Sequence, residues 1–359
     1  AVSIRGWVRA GAVFDPPERA GLASFMADAI ERGTQDYSYR QINSRLDGLG
    51  ATFGVSASDE SAGFYGRCLT EDIDALLDIM GSVLLRPTFP AAEVEKVRGE
   101  ILTGLRESRN DTQWVSEYEF FKAMFPPNHP FHLPTEGIEE TVQAITRSDL
   151  KRFHATYYRP DAAVIAVVGD ITPERALDAI GRTFGAWRAA GPLRPLAIPD
   201  VREHTVAQRK DVLVPGKTQS DIVLGFPGLP RNSPDFHPAS VANLILGVIG
   251  LSGRLGDNVR DKQGLAYYVG SSLRAGFGAG PWVVRAGVNP ANVERAISSI
   301  EDELNRLCAE PVSAAELSEA QDNLTGSLAL RLETNDGVAG MITYMETHRL
   351  GLDYLERYN

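Results

Sequence analysis

An arginine and a tyrosine stand seven residues apart in Arg260-Asp-Lys-Gln-Gly-Leu-Ala-Tyr267, pairing a permanently charged guanidinium with a phenol that can donate a proton. Taken by themselves, the first reads as a solvated helix residue and the second as a half-buried strand residue. Glycines at 247, 250, 253 and 256 precede them. A phosphate cradle would close on Gly-Lys-Ser/Thr, which Gly253-Arg254-Leu255 does not supply, so helix punctuation is one reading and a mobile loop the other. His129 and His132 could share a metal, but Pro130 between them puts both in a loop, and no carboxylate or thiol stands at ligand spacing. A structural role is expected for the pair. His154, His204, His237 and His348 have no motif around them, and no serine occupies a nucleophile elbow. Cys68 and Cys308, one in each half, define neither a disulfide framework nor a thiolate metal site and read as buried small hydrophobes.

The chain that must position these groups has 359 residues, 43% hydrophobic and 23% charged, enough for two or three domains with real cores. Its net charge of −11, with Lys and Arg scattered singly, argues against nucleic acid or an anionic membrane surface as partner. No apolar run is long enough to span a bilayer, which reads as a soluble protein, cytoplasmic or periplasmic. The opening AVSIRGWVRAGAV is already strand-like and LGLDYLERYN stops abruptly after a helical pattern, so a chain trimmed at both ends is expected.

Periodicity sketches two halves on one plan. In the first, residues 2–13 alternate as a strand. Leu22, Phe25, Met26, Ala29 and Ile30 fall at helical spacing before Gly33, and a short helix covers 39–46. Strands at 51–57 and 63–69 precede helices at 72–84 and 91–109; a helix at 148–157, a strand at 162–168 and a helix from Thr172 to about Phe184 follow. Residues 191–199, with three prolines and a glycine, read as a linker. The plan then repeats: strand 221–226, helix 238–249, short helix 253–262, strands 267–273 and 282–288, helices 290–307 and 314–332. Pro90-Ala-Ala-Glu-Val-Glu and Ser313-Ala-Ala-Glu-Leu-Ser open corresponding long helices, the second with capping-box spacing. A duplicated α+β unit is expected, mainly antiparallel strands in one layer and helices in the other.

Residues 21–34, Gly-Leu-Ala-Ser-Phe-Met-Ala-Asp-Ala-Ile-Glu-Arg-Gly-Thr, resemble the zinc-site helix of the M16 (pitrilysin/insulinase-like) peptidase family, whose form there is GLAHFLEHMLFKGT. Asn128-His-Pro-Phe131 before Gly137, Tyr157-Tyr-Arg-Pro160 and Val167-Val-Gly-Asp170 are also family-like, and Arg260 with Tyr267 is similar to the family's second signature. Each motif is weak alone, but their order and spacing hold along essentially the whole chain. The resemblance implies an α+β fold of two homologous M16-type (LuxS/MPP-like) α/β sandwich units, each a mainly antiparallel sheet with helices packed on one side. Residues 1–190 form a unit with a degenerate zinc motif, 191–200 a linker, and 201–359 the unit with the Arg/Tyr motif.

In the family two histidines and a glutamate of an inverted HxxEH motif bind zinc and activate water; here those positions hold Ser24, Ala27 and Asp28. A further glutamate ligand, expected in a segment like VVLEEI, falls on Thr103 or Gly104 of Ile101-Leu-Thr-Gly-Leu105. Asp28 alone does not replace three ligands and Ala27 takes no proton, so no metal is expected in this chain and Zn2+ is expected in a partner. By the same resemblance Tyr267, with Tyr268 as its rival, would donate to a scissile carbonyl, and Arg260 would hold substrate backbone or orient the tyrosine. Gly250 and Gly253 would belong to a substrate-guiding loop. These features imply an accessory subunit that closes with a homologous HxxEH-bearing subunit over an unfolded peptide, inactive when alone and able to self-associate. A structural scaffold and a peptide-binding module are the alternatives; the retained Arg/Tyr pair weighs against the scaffold.

Overall fold

The computed structural model describes residues 1–201, 206–248 and 253–358. Strand β1 (Val2–Val8) buries Val2, Ile4 and Val8 on one face. It stops short of residue 13, because the chain turns through 3-10 segments at Ala12–Phe14 and Pro17–Arg19. Helix α1 (Leu22–Ile30) begins where Asp15 accepts from the amides of Gly21 (2.9 Å) and Ala23 (3.0 Å), satisfying N-terminal donors that would otherwise lack partners. Helix α2 (Tyr39–Leu49) has a Ser38/Gln41 capping box and ends on Gly50 at φ 58°, a left-handed position that glycine adopts without steric cost.

The hairpin β2 (Thr52–Ala57) and β3 (Ala62–Cys68) leads to α3 (Ile73–Leu85), α4 (Ala91–Ser108), α5 (Thr112–Met124), α6 (Glu139–Ala144) and α7 (Arg147–Tyr157). Strand β4 (Ala163–Gly169) and α8 (Pro173–Phe184) complete the first half. Residues 189–201 have no regular structure. The second half runs β5 (Ser220–Pro227), α9 (Phe236–Gly247), a π-helical turn at Gly256–Lys262, and the hairpin β6 (Ala266–Ala275) and β7 (Ala279–Val288). Helices α10 (Val293–Ala309), α11 (Ala314–Arg331), α12 (Asn335–Thr347) and α13 (Tyr354–Arg357) follow. Cys68 is buried as expected, but Cys308 is exposed near the end of α10.

The chain is α+β and packs as two units, whose boundaries differ from 1–190 and 201–359. The first contains Ala1–Leu105, Leu133–Ala197 and the segment from Ala329 onward. Its antiparallel sheet has the order β2-β3-β1-β4. On one face Gly66 makes room for α3: a Cβ there would stand 2.9 Å from Met80 Sδ. The other face carries α12, where Arg5 Nε donates to Asp336 Oδ1 at 2.7 Å and Ala339 is fully buried.

The second unit contains Arg106–His132 and Ile198–Leu328. Its antiparallel sheet, β5-β7-β6, packs Val269, Val284, Ala286 and Val288 against Leu246, Val259, Ala296 and Ile300. Helix α5 covers the opposite face, with Arg285 Nε donating to Glu117 Oε1 at 2.6 Å and Phe120 filling the space left by Gly225.

Each sheet is therefore covered on both faces, because α5, from the first half of the sequence, packs in the second unit and α12, from the second half, packs in the first. Ion pairs that keep contact with solvent, like those of Arg5 and Arg285, contribute on the order of 1 kcal/mol each, so apolar packing holds these helices in place.

Candidate functional site

Two groups of residues merit attention, one in each unit. In the first unit, α1 and α4 line a cleft of about 400 Å³ with Ala27, Asp28, Glu31, Arg32, Tyr39, Val55, Val97, Glu100 and Ile101. Arg32 Nη2 donates to Glu100 Oε2 at 2.7 Å, and its guanidinium lies 4.7 Å from the centre of the Tyr39 ring. The Val55 amide donates to Glu31 Oε1 at 2.8 Å. Burial pushes the Glu31 carboxyl up to about 7, against the pull of that amide and of Arg32. Asp28 opens to solvent at the cleft mouth, yet the surrounding protein raises its carboxyl to about 6, with Glu100 and Glu136 adding to the rise and Arg32 opposing it.

Of the zinc-motif positions read from the sequence, Ala27 and Asp28 line this cleft; Ser24, Thr103 and Gly104 do not. Ser24 is half-buried on α1. Thr103 is exposed on α4 and donates its hydroxyl to Gly99 O at 2.8 Å, and Gly104 is also exposed. Sequence reasoning missed Glu31, Arg32 and Glu100. Helical spacing could have found two of them: Glu31 follows Asp28 by three residues, and Glu100 precedes Gly104 by four, each one turn away from a motif position. Among the described residues, no three His, Cys, Asp or Glu side chains gather closely enough to hold a metal ion.

His129 and His132 lie in the second unit and bond to backbone. His129 Nε2 donates to Pro199 O (3.0 Å) while Nδ1 accepts from the Phe131 amide (3.1 Å), which fixes the tautomer; burial lowers its pKa. His132 Nδ1 donates to Phe125 O at 2.7 Å. Both are turn-forming residues here.

The second group is built around Arg260 and Tyr267. Arg260 sits in the π-helical turn, a form found often at functional sites, about a third exposed and 3.5 Å from Asp261. Helix α10 anchors this turn: buried Glu303 accepts from Asn258 Nδ2 (2.6 Å), and Gln263 Nε2 donates to Ser299 Oγ (3.1 Å). Gly264, at φ 62°, ends the turn with its amide on Arg260 O at 2.9 Å. After it, Leu265 and Ala266 enter the core while Tyr267 points outward, 64% exposed. Its neighbour Tyr268 is turned inward, its hydroxyl donating to Asp221 Oδ1 at 2.5 Å, and burial together with that carboxylate raises its pKa. Gly253 lies at φ 93° against the backbone of Ile245 and Gly247, so a Cβ there would meet Gly247 Cα at 2.8 Å. Gly250 lies outside the described residues, as does His204. Among the described residues no helix is long and apolar enough to cross a membrane.

Comparison with known proteins covers both units. An uncharacterised zinc protease of Bacillus subtilis, YmxG, is 26% identical over 336 residues, spanning 94% of this chain and 80% of its own. A peptidase M16 inactive domain from Pseudomonas fluorescens superposes with a TM-score of 0.90 at 25% identity, over 99% of this chain and 85% of that one. A protease of Helicobacter pylori shares the fold, with a TM-score of 0.92 at 20% identity over 99% and 87% of the two chains. The family descriptions "Insulinase (Peptidase family M16)" and "Peptidase M16 inactive domain" match residues 1–128 and 144–324 respectively, and the chain belongs to the M16 peptidase family.

Proposed function

We propose that this chain is the non-catalytic, Arg/Tyr-bearing subunit of a two-subunit zinc peptidase, acting on unfolded peptides with a partner that carries HxxEH. The observation that carries this reading is the contrast between the two groups. The first holds Ser24, Ala27 and Asp28 where the family resemblance expects His, Glu and His, while the second presents Tyr267 outward from its strand.

Zinc requires about three protein donors of N, S or O type, with an open position left for water. The cleft does not fit that requirement. Ser24, Thr103 and Gly104 do not line it, and Ala27 has no donor. Glu31 accepts the Val55 amide and Glu100 is paired with Arg32, and among the described residues these two carboxylates do not gather with Asp28 closely enough to hold a metal ion. Relatives named zinc proteases are similar in sequence, but among the described residues this chain offers no set equivalent to two imidazoles and a carboxylate. Zinc and the general base would come from the partner.

The chemistry left to this chain is positioning and charge stabilisation. The Tyr267 hydroxyl, free of partners among the described residues, would donate to the scissile carbonyl as negative charge develops on its oxygen. The Arg260 guanidinium would hold a neighbouring substrate carbonyl through its fixed fork of donors. Main-chain pairing of an extended peptide at a sheet edge gives affinity with little side-chain selectivity. Substitution of Tyr267→Phe in the mixed pair should lower kcat on the order of a hundredfold, the scale of losing one oxyanion donor. Unchanged turnover in Tyr267→Phe and Arg260→Ala would remove the accessory reading in favour of a scaffold.

A further inference from the structure

The β6–β7 ladder slips by one residue at the motif tyrosine. Ala266 pairs with Val288 and Tyr268 with Gly287, so Tyr267 is the extra, unpaired residue of a β-bulge. A bulge disrupts the ladder locally and re-aims the extra side chain, so a contact that pins the bulge would set that aim.

The pin lies one residue on. Gly287 is the register partner of both Tyr268 on β6 and Asp221 on β5, so the three residues form one row across the sheet. Gly287 has no side chain, and the Tyr268 ring lies over it: a Cβ there would be 2.3 Å from Tyr268 Cε1. The phenol thus spans the central strand and reaches Asp221 Oδ1 at 2.5 Å. Asp221 is held in turn by Gln219 Nε2 at 3.0 Å and by the Thr112 hydroxyl at the start of α5. All three strands and the covering helix are locked at the bulge.

We infer that Tyr268 and Asp221 are positioning residues: their hydrogen bond across Gly287 fixes the bulge and so the aim of the Tyr267 phenol. The inference rests on the proposed role of Tyr267. A one-ångström misplacement of a reacting group costs up to about a hundredfold in rate, so loss of the pin should matter even though neither residue touches substrate.

The test uses Tyr268→Phe, which keeps the ring over Gly287 and removes only the hydroxyl. With an HxxEH-bearing homologue from the same source, zinc and a quenched fluorescent peptide, Tyr268→Phe should lower kcat roughly tenfold with KM changed less than about twofold. In the Tyr267→Phe background the same substitution should cost less than about twofold, because the tyrosine it positions is already gone. Equal losses in both backgrounds would show a merely structural role and overturn the inference, as would full activity of Tyr268→Phe beside an impaired Tyr267→Phe. Full activity of Tyr267→Phe itself would overturn the accessory-subunit reading and the inference with it. A second readout needs no partner: 3-fluorotyrosine at position 267 of the full chain should give one narrow 19F resonance that broadens or moves in Tyr268→Phe. An unchanged resonance would also overturn the pin.

Discussion

Replacing Glu31 by glutamine should stabilise the chain at neutral and alkaline pH and do nothing in acid. Glu31 rises from the ordinary 4.5 to about 7 because burial penalises its charged form. A carboxyl raised in the folded state binds more protons there than in the unfolded chain, so stability falls as pH climbs from about 4.5 to about 7. At ~1.4 kcal/mol per pH unit this rise corresponds to about 3 kcal/mol, which solvent at the open cleft reduces to about 2. Asp28, raised to about 6, adds in the same direction over a window ending lower. Glutamine keeps the carbonyl oxygen that accepts the Val55 amide and removes the charge. Urea unfolding followed by circular dichroism should show Glu31→Gln more stable than wild type by about 2 kcal/mol near pH 8 and equal to it near pH 4. A 13C titration of the Glu31 carboxyl gives the midpoint directly. A carboxyl that titrates near 4.5, or a variant with the same advantage at both pH values, would mean that burial does not raise Glu31 in the folded chain.

Gly264→Ala should cost about 1 kcal/mol, since the residue sits at φ 62° with open space around it, so backbone strain acts without a clash; thermal unfolding reads this directly. A chelator should leave the melting temperature of the isolated chain unchanged while abolishing cleavage by the mixed pair. A lowered melting temperature on chelation would mean that this chain holds a metal.

How much of this was legible in sequence depended on whether local pattern or long-range packing decided the outcome. The α1 stripe of Leu22, Phe25, Met26 and Ile30 marked its helix, and the strand pairs near 51–69 and 267–288 were read from the local pattern. The stretch 112–124 has no clean apolar stripe, only a run of aromatics, and folds as α5 over β5. Which sheet a helix covers is set by side-chain fit, so the exchange of α5 and α12 between units was invisible in chain order. The site divides similarly. Arg260 and Tyr267 were singled out by motif, and Ser24, Ala27 and Asp28 by comparison with the family's zinc helix. The bulge at Tyr267 depends on pairing with β7, and Asp221 stands 46 residues before Tyr267, so neither could be read locally. Glu31 and Glu100 went unseen because the motif directs attention to ligand positions, whereas these carboxylates stand one helical turn away from them.

The most direct test is cleavage of a quenched fluorescent peptide by this chain alone, by an HxxEH-bearing homologue from the same source with zinc, and by the two mixed. Silence is expected from this chain alone, with turnover in the mixture that falls when Tyr267→Phe is introduced. Cleavage by this chain alone, or a formed complex with no turnover, would contradict it.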